Sequence, residues 1–259
     1  MNKTLQEINF SEKSNLSIHP WYITGFTDAE GCFSLSISPS SSYRTGYLVK
    51  LLFDIGLDKK DGVLLGKIQS YFGVGKIYER SNNVLDFRVQ SVKELEVIIN
   101  HFESYPLITE KWADYQLFKM ALDIIKRKEH LTSEGINKLL SIKASMNTGL
   151  SERAASFSTL VIPVERSKIN QEIKDPNWIV GFVDGDGSFS VNIIKAPRCV
   201  LGETIQLRFQ ITQHVRDKVL LKSFISYLGC GIYVGKDKDK GWSNFAVVTF
   251  NDIVNNIVF

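Results

Sequence analysis

The sequence predicts an α+β fold built from two tandem repeats. Residues 23–31 recur as residues 179–187, displaced by 156 positions (179 − 23). The similarity continues at one fixed offset over about 55 positions, which indicates internal duplication. In both copies a helical segment runs directly into a stretch of alternating apolar and polar residues, which predicts a strand. Each repeat is therefore expected to contain a helix, two strands, a helix, two strands and closing helices.

The repeated stretch is predicted to be a helix that ends in an acidic residue. Pro20 can open this helix, since a missing N–H costs little in the first turn. Gly25 and Gly181 lie in mid-helix, where glycine costs ~1 kcal/mol relative to alanine. Because glycine has no Cβ and lets another backbone approach closely, we expect the two helices to pack together. Glu30 and Asp186 would then lie side by side at their ends.

Strands follow each helix. Residues 33–38, 189–194 and 205–212 alternate between apolar and polar side chains, which predicts half-buried strands. The polar set carries hydrogen-bond donors and acceptors that suit the reading of base edges in a DNA groove. For a single strand, an ordinary solvated face is the alternative.

Helical periodicity and glycine breaks give the remaining elements and the domain boundaries. Ser91 and Glu94 form a capping-box pattern at the start of one helix. The predicted helices are 61–72, 92–102, 110–128 and 133–146, and the further strands are 76–80 and 85–90. The domains are a flexible leader at 1–17, the first repeat at 18–150, a linker at 151–175 and the second repeat at 176–259.

Composition excludes several classes of protein. A hydrophobic content of 44% fits a packed globular chain, and a net charge of +3 permits a nucleic-acid partner without requiring one. The three cysteines form no CxxC pair, so we expect a reducing compartment and no zinc site. No apolar run approaches the ~18 residues of a membrane span, and residues 1–19 do not resemble a signal or transit peptide.

The paired acids are the main indication of function. A duplicated helix that delivers one carboxylate per copy predicts a two-fold site at which Glu30 and Asp186 meet around a metal ion. The partial negative charge at helix C-termini favours a cation at the same place. No Ser/His/Asp or Cys/His set offers a side-chain nucleophile.

The motif ends, GFTDAEG at 25–31 and GFVDGDG at 181–187, resemble the LAGLIDADG homing endonucleases in their single-chain, two-repeat form. The segments YPLIT at 105–109 and NTGLS at 147–151 are similar to the intron-encoded group of fungal mitochondria. The resemblance covers roughly residues 18–259. It implies curved antiparallel sheets in the DNA major groove, motif helices at a pseudo-two-fold interface, a monomer, and a protein made inside the mitochondrion.

The resemblance also assigns chemistry to the motif residues. Glu30 and Asp186 are expected to bind Mg²⁺, or another divalent cation such as Mn²⁺, with the backbone carbonyls of Ala29 and Gly185 as further ligands. Mg²⁺ takes few protein oxygens and keeps waters, so two carboxylates and a scissile phosphate make a workable site. The implied reaction is phosphodiester hydrolysis of both strands of double-stranded DNA at a long, asymmetric site.

Side chains on the outward strand faces are the candidates for DNA contacts. In the first repeat they are Ser34, Ser36, Ser38, Arg44, Lys50, Arg80, Arg88 and Gln90. In the second they are Ser190, Asn192, Lys195, Gln206, Arg208 and Lys236.

The sequence departs from the family beside the expected metal site. Members usually carry a Gln on the second strand of each repeat; Gln210 fits, whereas its counterpart is Asp54. A basic residue is also common near the end of the fourth strand, but Ser91 and Thr249 occupy these positions. We expect an added acid and two absent cations to weaken phosphate binding or alter metal occupancy.

The end of the second repeat departs further. Its fourth strand aligns with that of the first repeat at an offset of 158 (245 − 87), so Phe259 corresponds to His101. Counterparts of residues 101–147, the closing helices, are therefore missing, and we expect low solubility and marginal stability. The apolar residues expected to be exposed are Ile205, Leu207 and Phe209. A fragment, a decayed reading frame and a cover from another polypeptide are the three explanations.

The leading hypothesis is a site-specific DNA endonuclease that propagates its own intron. One alternative is an RNA maturase that binds intron RNA and assists group I splicing. The other is a non-catalytic DNA-binding remnant, which the retained pair of acids disfavours and the missing helices favour.

Overall fold

The computed structural model describes residues 6–8, 17–80, 82–147, 149–150, 161–235 and 241–258. The helices are α1 (Pro20–Glu30), α2 (Gly62–Phe72), α3 (Val92–Ser104), α4 (Lys111–Lys126), α5 (Ser133–Ser145), α6 (Pro176–Asp186), α7 (Lys218–Leu228) and α8 (Phe250–Asp252). The strands are β1 (Gln6–Ile8), β2 (Gly31–Pro39), β3 (Tyr47–Asp58), β4 (Lys76–Arg80), β5 (Val84–Val89), β6 (Gly187–Lys195), β7 (Glu203–His214), β8 (Ile232–Gly235) and β9 (Trp242–Val247).

The predicted order of elements is confirmed, with ends shifted by no more than two residues. The predicted cap of α3 is also present, because the Glu94 N–H donates to Ser91 Oγ at 3.2 Å and Ser91 Oγ donates back to Glu94 at 2.8 Å. No helix in the described part of the chain is long and apolar enough to cross a membrane.

Each repeat of the sequence forms one antiparallel sheet. The first has the strand order β1-β4-β5-β3-β2, and the second has the order β6-β7-β9-β8. Phe33 pairs with Phe53 across β2 and β3, and their counterparts Phe189 and Phe209 pair across β6 and β7. The edge strand β1 lies within the segment 1–17 that was expected to be a flexible leader, so this part of the leader instead joins the first sheet.

The motif helices α1 and α6 pack against each other, as their glycines predict. A Cβ added at Gly25 would lie 1.9 Å from the carbonyl oxygen of Trp178, and one added at Gly181 would lie 2.1 Å from that of Tyr22. Real Cβ atoms never approach a backbone oxygen so closely, so only glycine permits this contact. The reciprocal pair of contacts places the pseudo-two-fold axis between the two helices.

Helices cover the apolar face of the first sheet. Phe33 is 1% exposed and packs edge-on against Phe102, Tyr115 and Phe118, with ring centroids 5.4–5.6 Å apart. These three residues belong to α3 and α4, so the closing helices supply the cover.

The second sheet is covered over only part of its apolar face. Phe209 is 1% exposed, so the prediction that it would be exposed is wrong. The reason is local: Phe245 on the neighbouring strand β9 packs beside Phe209, and Phe224 of α7 packs against Phe245 in the same buried cluster. Leu207 is half-buried, which also differs from the prediction, whereas Ile205 is exposed as predicted.

Beyond Phe209 the apolar face is open. Phe189, Val191 and Ile193 are 62%, 68% and 72% exposed, whereas Phe33 and Leu35, the counterparts of the first two, are each 1% exposed. After β9 the described chain adds α8 and a π-helical turn (Ile253–Val258), and the described residues of the second repeat hold no counterpart of α4 or α5.

Candidate metal and DNA-binding site

The two acidic residues predicted to form the site lie at the C-terminal ends of two adjacent helices. Glu30 is the last residue of α1, and Asp186 is the last residue of α6. A Cβ added at Gly185 would lie 2.4 Å from Ala29 Cβ and 3.1 Å from Glu30 Cγ. The helix ends therefore touch, and the absence of a side chain at Gly185 leaves room for the Glu30 carboxylate.

The proximity of these carboxylates has an electrostatic consequence. Burial, and after it the negative charge of Glu30, raises the pKa of Asp186 to about 6. Burial likewise raises the pKa of Glu30. Two partly desolvated carboxylates that oppose each other's ionisation form a site that a cation would stabilise.

A cation from the protein already lies beside this pair. Lys111, the first residue of α4, donates from Nζ to the carbonyl oxygens of Thr27 at 2.8 Å and Ala29 at 3.1 Å. Burial lowers the pKa of Lys111, and the neighbouring carboxylates oppose that shift. In the first repeat a basic side chain thus does reach the acids, from Lys111 directly after YPLITE and not from Ser91. Nothing in the sequence alone marks Lys111 as part of this site.

A buried acid fastens the start of α4 to α1. Asp28 is 3% exposed and accepts hydrogen bonds from the N–H groups of Ile108 (3.0 Å) and Thr109 (3.2 Å) and from Thr109 Oγ1 (2.6 Å). Trp178 Nε1 donates to the same carboxylate from α6 at 2.8 Å. Burial raises the pKa of Asp28, and these hydrogen bonds oppose the shift. Asp28 thus ties together both motif helices and the segment that carries the lysine.

The second repeat contains the symmetric contact in a solvated form. Tyr22, which corresponds to Trp178, donates its hydroxyl to Asp184 at 2.7 Å. Asp184 corresponds to Asp28 but is exposed. The site is therefore two-fold in its helices and asymmetric in its surroundings.

The glutamine beside the acids is not the one predicted. Gln213 donates to the Asp186 carboxylate, whereas Gln210 donates to Thr212 Oγ1 at 2.9 Å and Asn244 Oδ1 at 3.3 Å. Residues 210 and 213 project from opposite faces of β7, because side chains alternate along a strand. Gln213 could not be predicted from the repeat, because the offset of 156 residues aligns it with an apolar residue, Leu57.

Asp54 lies on the polar face of the first sheet, in register with Arg88 on β5. Burial raises its pKa, and the charge of Asp86 contributes in the same direction. The charges of Arg88, Arg80 and Lys111 oppose this rise.

Most of the residues predicted to contact DNA lie on the polar faces of the two sheets. On the polar faces lie Ser34, Ser36, Ser38, Lys50, Arg80, Arg88, Ser190, Asn192, Gln206 and Arg208. Gln90 follows β5, and Arg44 lies in the loop between β2 and β3. Lys195 ends β6 and by alternation shares the side of Ile193, away from the polar face. Lys236 lies outside the described residues.

The donor set constrains the kind of metal that fits. No group of three or more His, Cys, Asp and Glu side chains in the described ranges could hold an ion. An ion at the helix ends would therefore depend on two carboxylates, main-chain oxygens and water. Mg²⁺ accepts such a set, because it binds few protein oxygens and retains several waters.

Comparison with known proteins connects this geometry to a family. The model of the family described as LAGLIDADG endonuclease matches residues 23–122 and 179–259. "Probable intron-encoded endonuclease 3" of Neurospora crassa is 38% identical over 250 residues, which cover 95% of this chain and 46% of the relative. "Probable intron-encoded endonuclease 2" of the same organism is 36% identical, with 93% and 55% covered. The chain thus spans about half the length of these curated relatives.

Solved structures give the same result in three dimensions. The I-SmaMI LAGLIDADG homing endonuclease bound to cleaved DNA is 43% identical with a TM-score of 0.89, and the match covers 93% of this chain and 81% of that one. I-CpaMI bound to uncleaved DNA is 46% identical with a TM-score of 0.87, covering 93% and 83%. These matches confirm the resemblance and the two-repeat fold that the paired motifs predicted.

Proposed function

The chain belongs to the LAGLIDADG endonuclease family, and on that premise we propose that it is a site-specific endonuclease hydrolysing both strands of double-stranded DNA. The observation that carries the proposal is the meeting of Glu30 and Asp186 at the ends of two packed helices. Each helix leads directly into a sheet with one polar face. The acids therefore lie at the junction of two surfaces suited to a DNA groove.

The chain offers a divalent ion two carboxylates and, at the same helix ends, the carbonyls of Ala29 and Gly185. We assign Mg²⁺ or Mn²⁺ to this set. When bound there, the ion would polarise a scissile phosphate and lower the pKa of a water nucleophile. The Ala29 carbonyl already accepts one hydrogen bond from Lys111, so a second lone pair would serve the ion.

The remaining side chains position the acids and balance their charge. Gln213 fixes the orientation of the Asp186 carboxylate. The Lys111 ammonium offsets the negative charge of the acids, and it would likewise attract the phosphate of a bound strand. Asp28 holds Lys111 in place through the residues before α4.

The two sheets have different polar side chains, so the recognised DNA should be asymmetric. Gln206, Arg208 and Gln210 face one half of the site, whereas Asp54, Arg80 and Arg88 face the other. One chain supplies both halves, so a monomer suffices. We further propose that the gene lies in a mitochondrial intron and that the protein acts in the mitochondrion, which its similarity to fungal intron-encoded endonucleases supports.

Cleavage of DNA tests the proposal. The purified chain is incubated with Mg²⁺ and a plasmid library of intronless junctions from fungal mitochondrial genes. We expect a double-strand break at one junction, and a loss of about 100-fold or more with Glu30→Gln or Asp186→Asn. Asp184→Asn, two residues from the site and exposed, is the matched control and should cleave normally.

Cleavage that survives both Glu30→Gln and Asp186→Asn would contradict the assignment. Splicing of intron RNA that depends on the protein, with no DNA cleavage, would instead support the maturase alternative.

A further inference from the structure

The polar face of the first sheet contains a buried ionic cluster that the metal site does not use. Asp86 lies on β5, and its side chain is 1% exposed. Arg80 Nη2 donates to Asp86 Oδ1 at 2.7 Å, and Arg88 Nη2 donates to Asp86 Oδ2 at 2.7 Å. One carboxylate therefore holds two guanidinium groups side by side on the face assigned to DNA.

A glycine makes room for this arrangement. Gly56 on β3 is paired in register with Asp86. A Cβ added there would lie 2.9 Å from Asp86 Oδ1 and 3.3 Å from Arg80 Nη2. Any larger residue would push the carboxylate or the guanidinium away, so the backbone is fitted to the cluster.

The arginines keep hydrogen-bonding capacity for a ligand. Each directs Nη2 to Asp86, and a guanidinium has five N–H donors in a planar fork. The Arg80 side chain is 51% exposed and that of Arg88 is 20% exposed, so both remain accessible from the polar face.

The second sheet has no counterpart of Asp86 or Arg88 among its described residues. Where the first sheet pairs Asp54 with Arg88 and Gly56 with Asp86, the second pairs Gln210 with Ala246 and Thr212 with Asn244. Its network is neutral, since Gln210 donates to Asn244 at 3.3 Å. The two sheets thus offer different chemistry at the same place in the repeat.

We propose that Asp86 is a positioning residue for specificity, which fixes Arg80 and Arg88 to read guanine in one half of the DNA site. An arginine fork matches the O6 and N7 acceptors of guanine in the major groove, whereas amide side chains match adenine. A carboxylate that holds the forks beforehand reduces the entropy lost on binding. The inference rests on the proposed function and adds the base that the first sheet selects.

Selection from random double-stranded DNA tests this role, with Ca²⁺ in place of Mg²⁺. The wild-type chain should select a motif with guanine at one or two positions in one half. Asp86→Asn should lower the guanine preference at those positions about tenfold and leave the other positions unchanged. Glu79→Gln removes an ion pair of the same sheet, that with Lys59, and should leave the whole motif unchanged.

A folded Asp86→Asn variant that selects the wild-type motif would overturn the proposal. If this variant does not fold, Arg88→Lys decides, because lysine keeps the charge but loses the fork. An unaltered guanine preference in Arg88→Lys would also overturn it. A wild-type chain that selects a motif without cleaving it would refute the nuclease and leave the role of Asp86 intact, whereas a chain that selects no motif would refute both.

Discussion

Lys111 donates a hydrogen bond from its ammonium group to the carbonyl oxygen of Ala29, at 3.1 Å. A positive charge from α4 is thereby placed at the negative end of the motif helix α1, where it stabilises the helix terminus. Because this ammonium also faces the two acids, it explains how they can lie together in a partly buried site.

Replacing Lys111 should make the free energy of unfolding depend more strongly on the Mg²⁺ concentration. Lys111→Met removes a partly buried cation and its hydrogen bonds and leaves the acids facing each other, so we expect a loss of about 2 kcal/mol in the free energy of unfolding without metal. Mg²⁺ should restore part of the loss and should stabilise the variant more than the wild type, because the competing ammonium is gone. Urea unfolding with EDTA and with Mg²⁺ measures both effects.

Lys119→Met is the control for this experiment. Lys119 lies on the same helix and forms an exposed ion pair with Glu103 at 2.9 Å, so its loss should cost less than about 1 kcal/mol. If Mg²⁺ stabilised Lys111→Met and wild type equally, the lysine would not share the metal site.

The pH dependence of metal binding should follow Asp186. Its pKa is raised to about 6, so its carboxylate takes up a proton as the pH falls through that value. Mg²⁺ affinity should therefore decrease below about pH 6. Calorimetric titration between pH 5 and pH 8 tests this, and an affinity independent of pH across this range would be inconsistent with Asp186 as a ligand.

Stability without metal should change in the opposite sense. A carboxyl group with a raised pKa in the folded state binds more protons folded than unfolded, so stability falls as the pH rises from about 4 to about 6. Asp217, whose pKa burial also raises to about 6, contributes with the same sign. Asp186→Asn should reduce this slope and leave the part due to Asp217.

The acidic pair and the helix interface could be predicted from sequence because the residues that form them occur in both repeats. Gly25 with Gly181 and Glu30 with Asp186 recur at one offset, and a mid-helix glycine has a direct packing consequence. Lys111 has no such partner within the sequence, and only the fold brings it next to residues 82 positions away.

Other errors came from treating each strand alone. The alternation of apolar and polar residues places Phe209 on the apolar face, but it does not predict that Phe224 of α7 joins the same buried cluster. The role of Asp86 was not predicted: alternation places Arg88 on the same face two residues along β5, but only the pairing of β4 with β5 brings Arg80 to the same carboxylate.

The symmetric hydrogen bonds across the motif helices should differ in strength. Trp178→Phe removes a donor from the buried Asp28 carboxylate and should cost about 2 kcal/mol or more. Tyr22→Phe removes the equivalent donor from the exposed Asp184 and should cost less than about 1 kcal/mol. Equal losses in thermal unfolding would show that burial of the acceptor does not decide the contribution.

The open apolar face of the second sheet should bind a hydrophobic dye in solution. Val191→Thr should reduce the binding of a hydrophobic dye and cost little stability, because Val191 is 68% exposed. Leu35→Thr, at the equivalent buried position, should cost about 3 kcal/mol. A comparable loss in both variants, or no dye binding by the wild-type chain, would mean that the face is covered.

The central claim is that Glu30 and Asp186 hold one site for a divalent ion, and anomalous diffraction from Mn²⁺ tests it most directly. Crystals of the chain with its selected DNA, grown with Mn²⁺, should show an anomalous peak about 2.0–2.2 Å from an oxygen of each carboxylate. In crystals of Asp186→Asn that peak should weaken or disappear. A peak elsewhere, or one that contacts neither acid, would contradict the account.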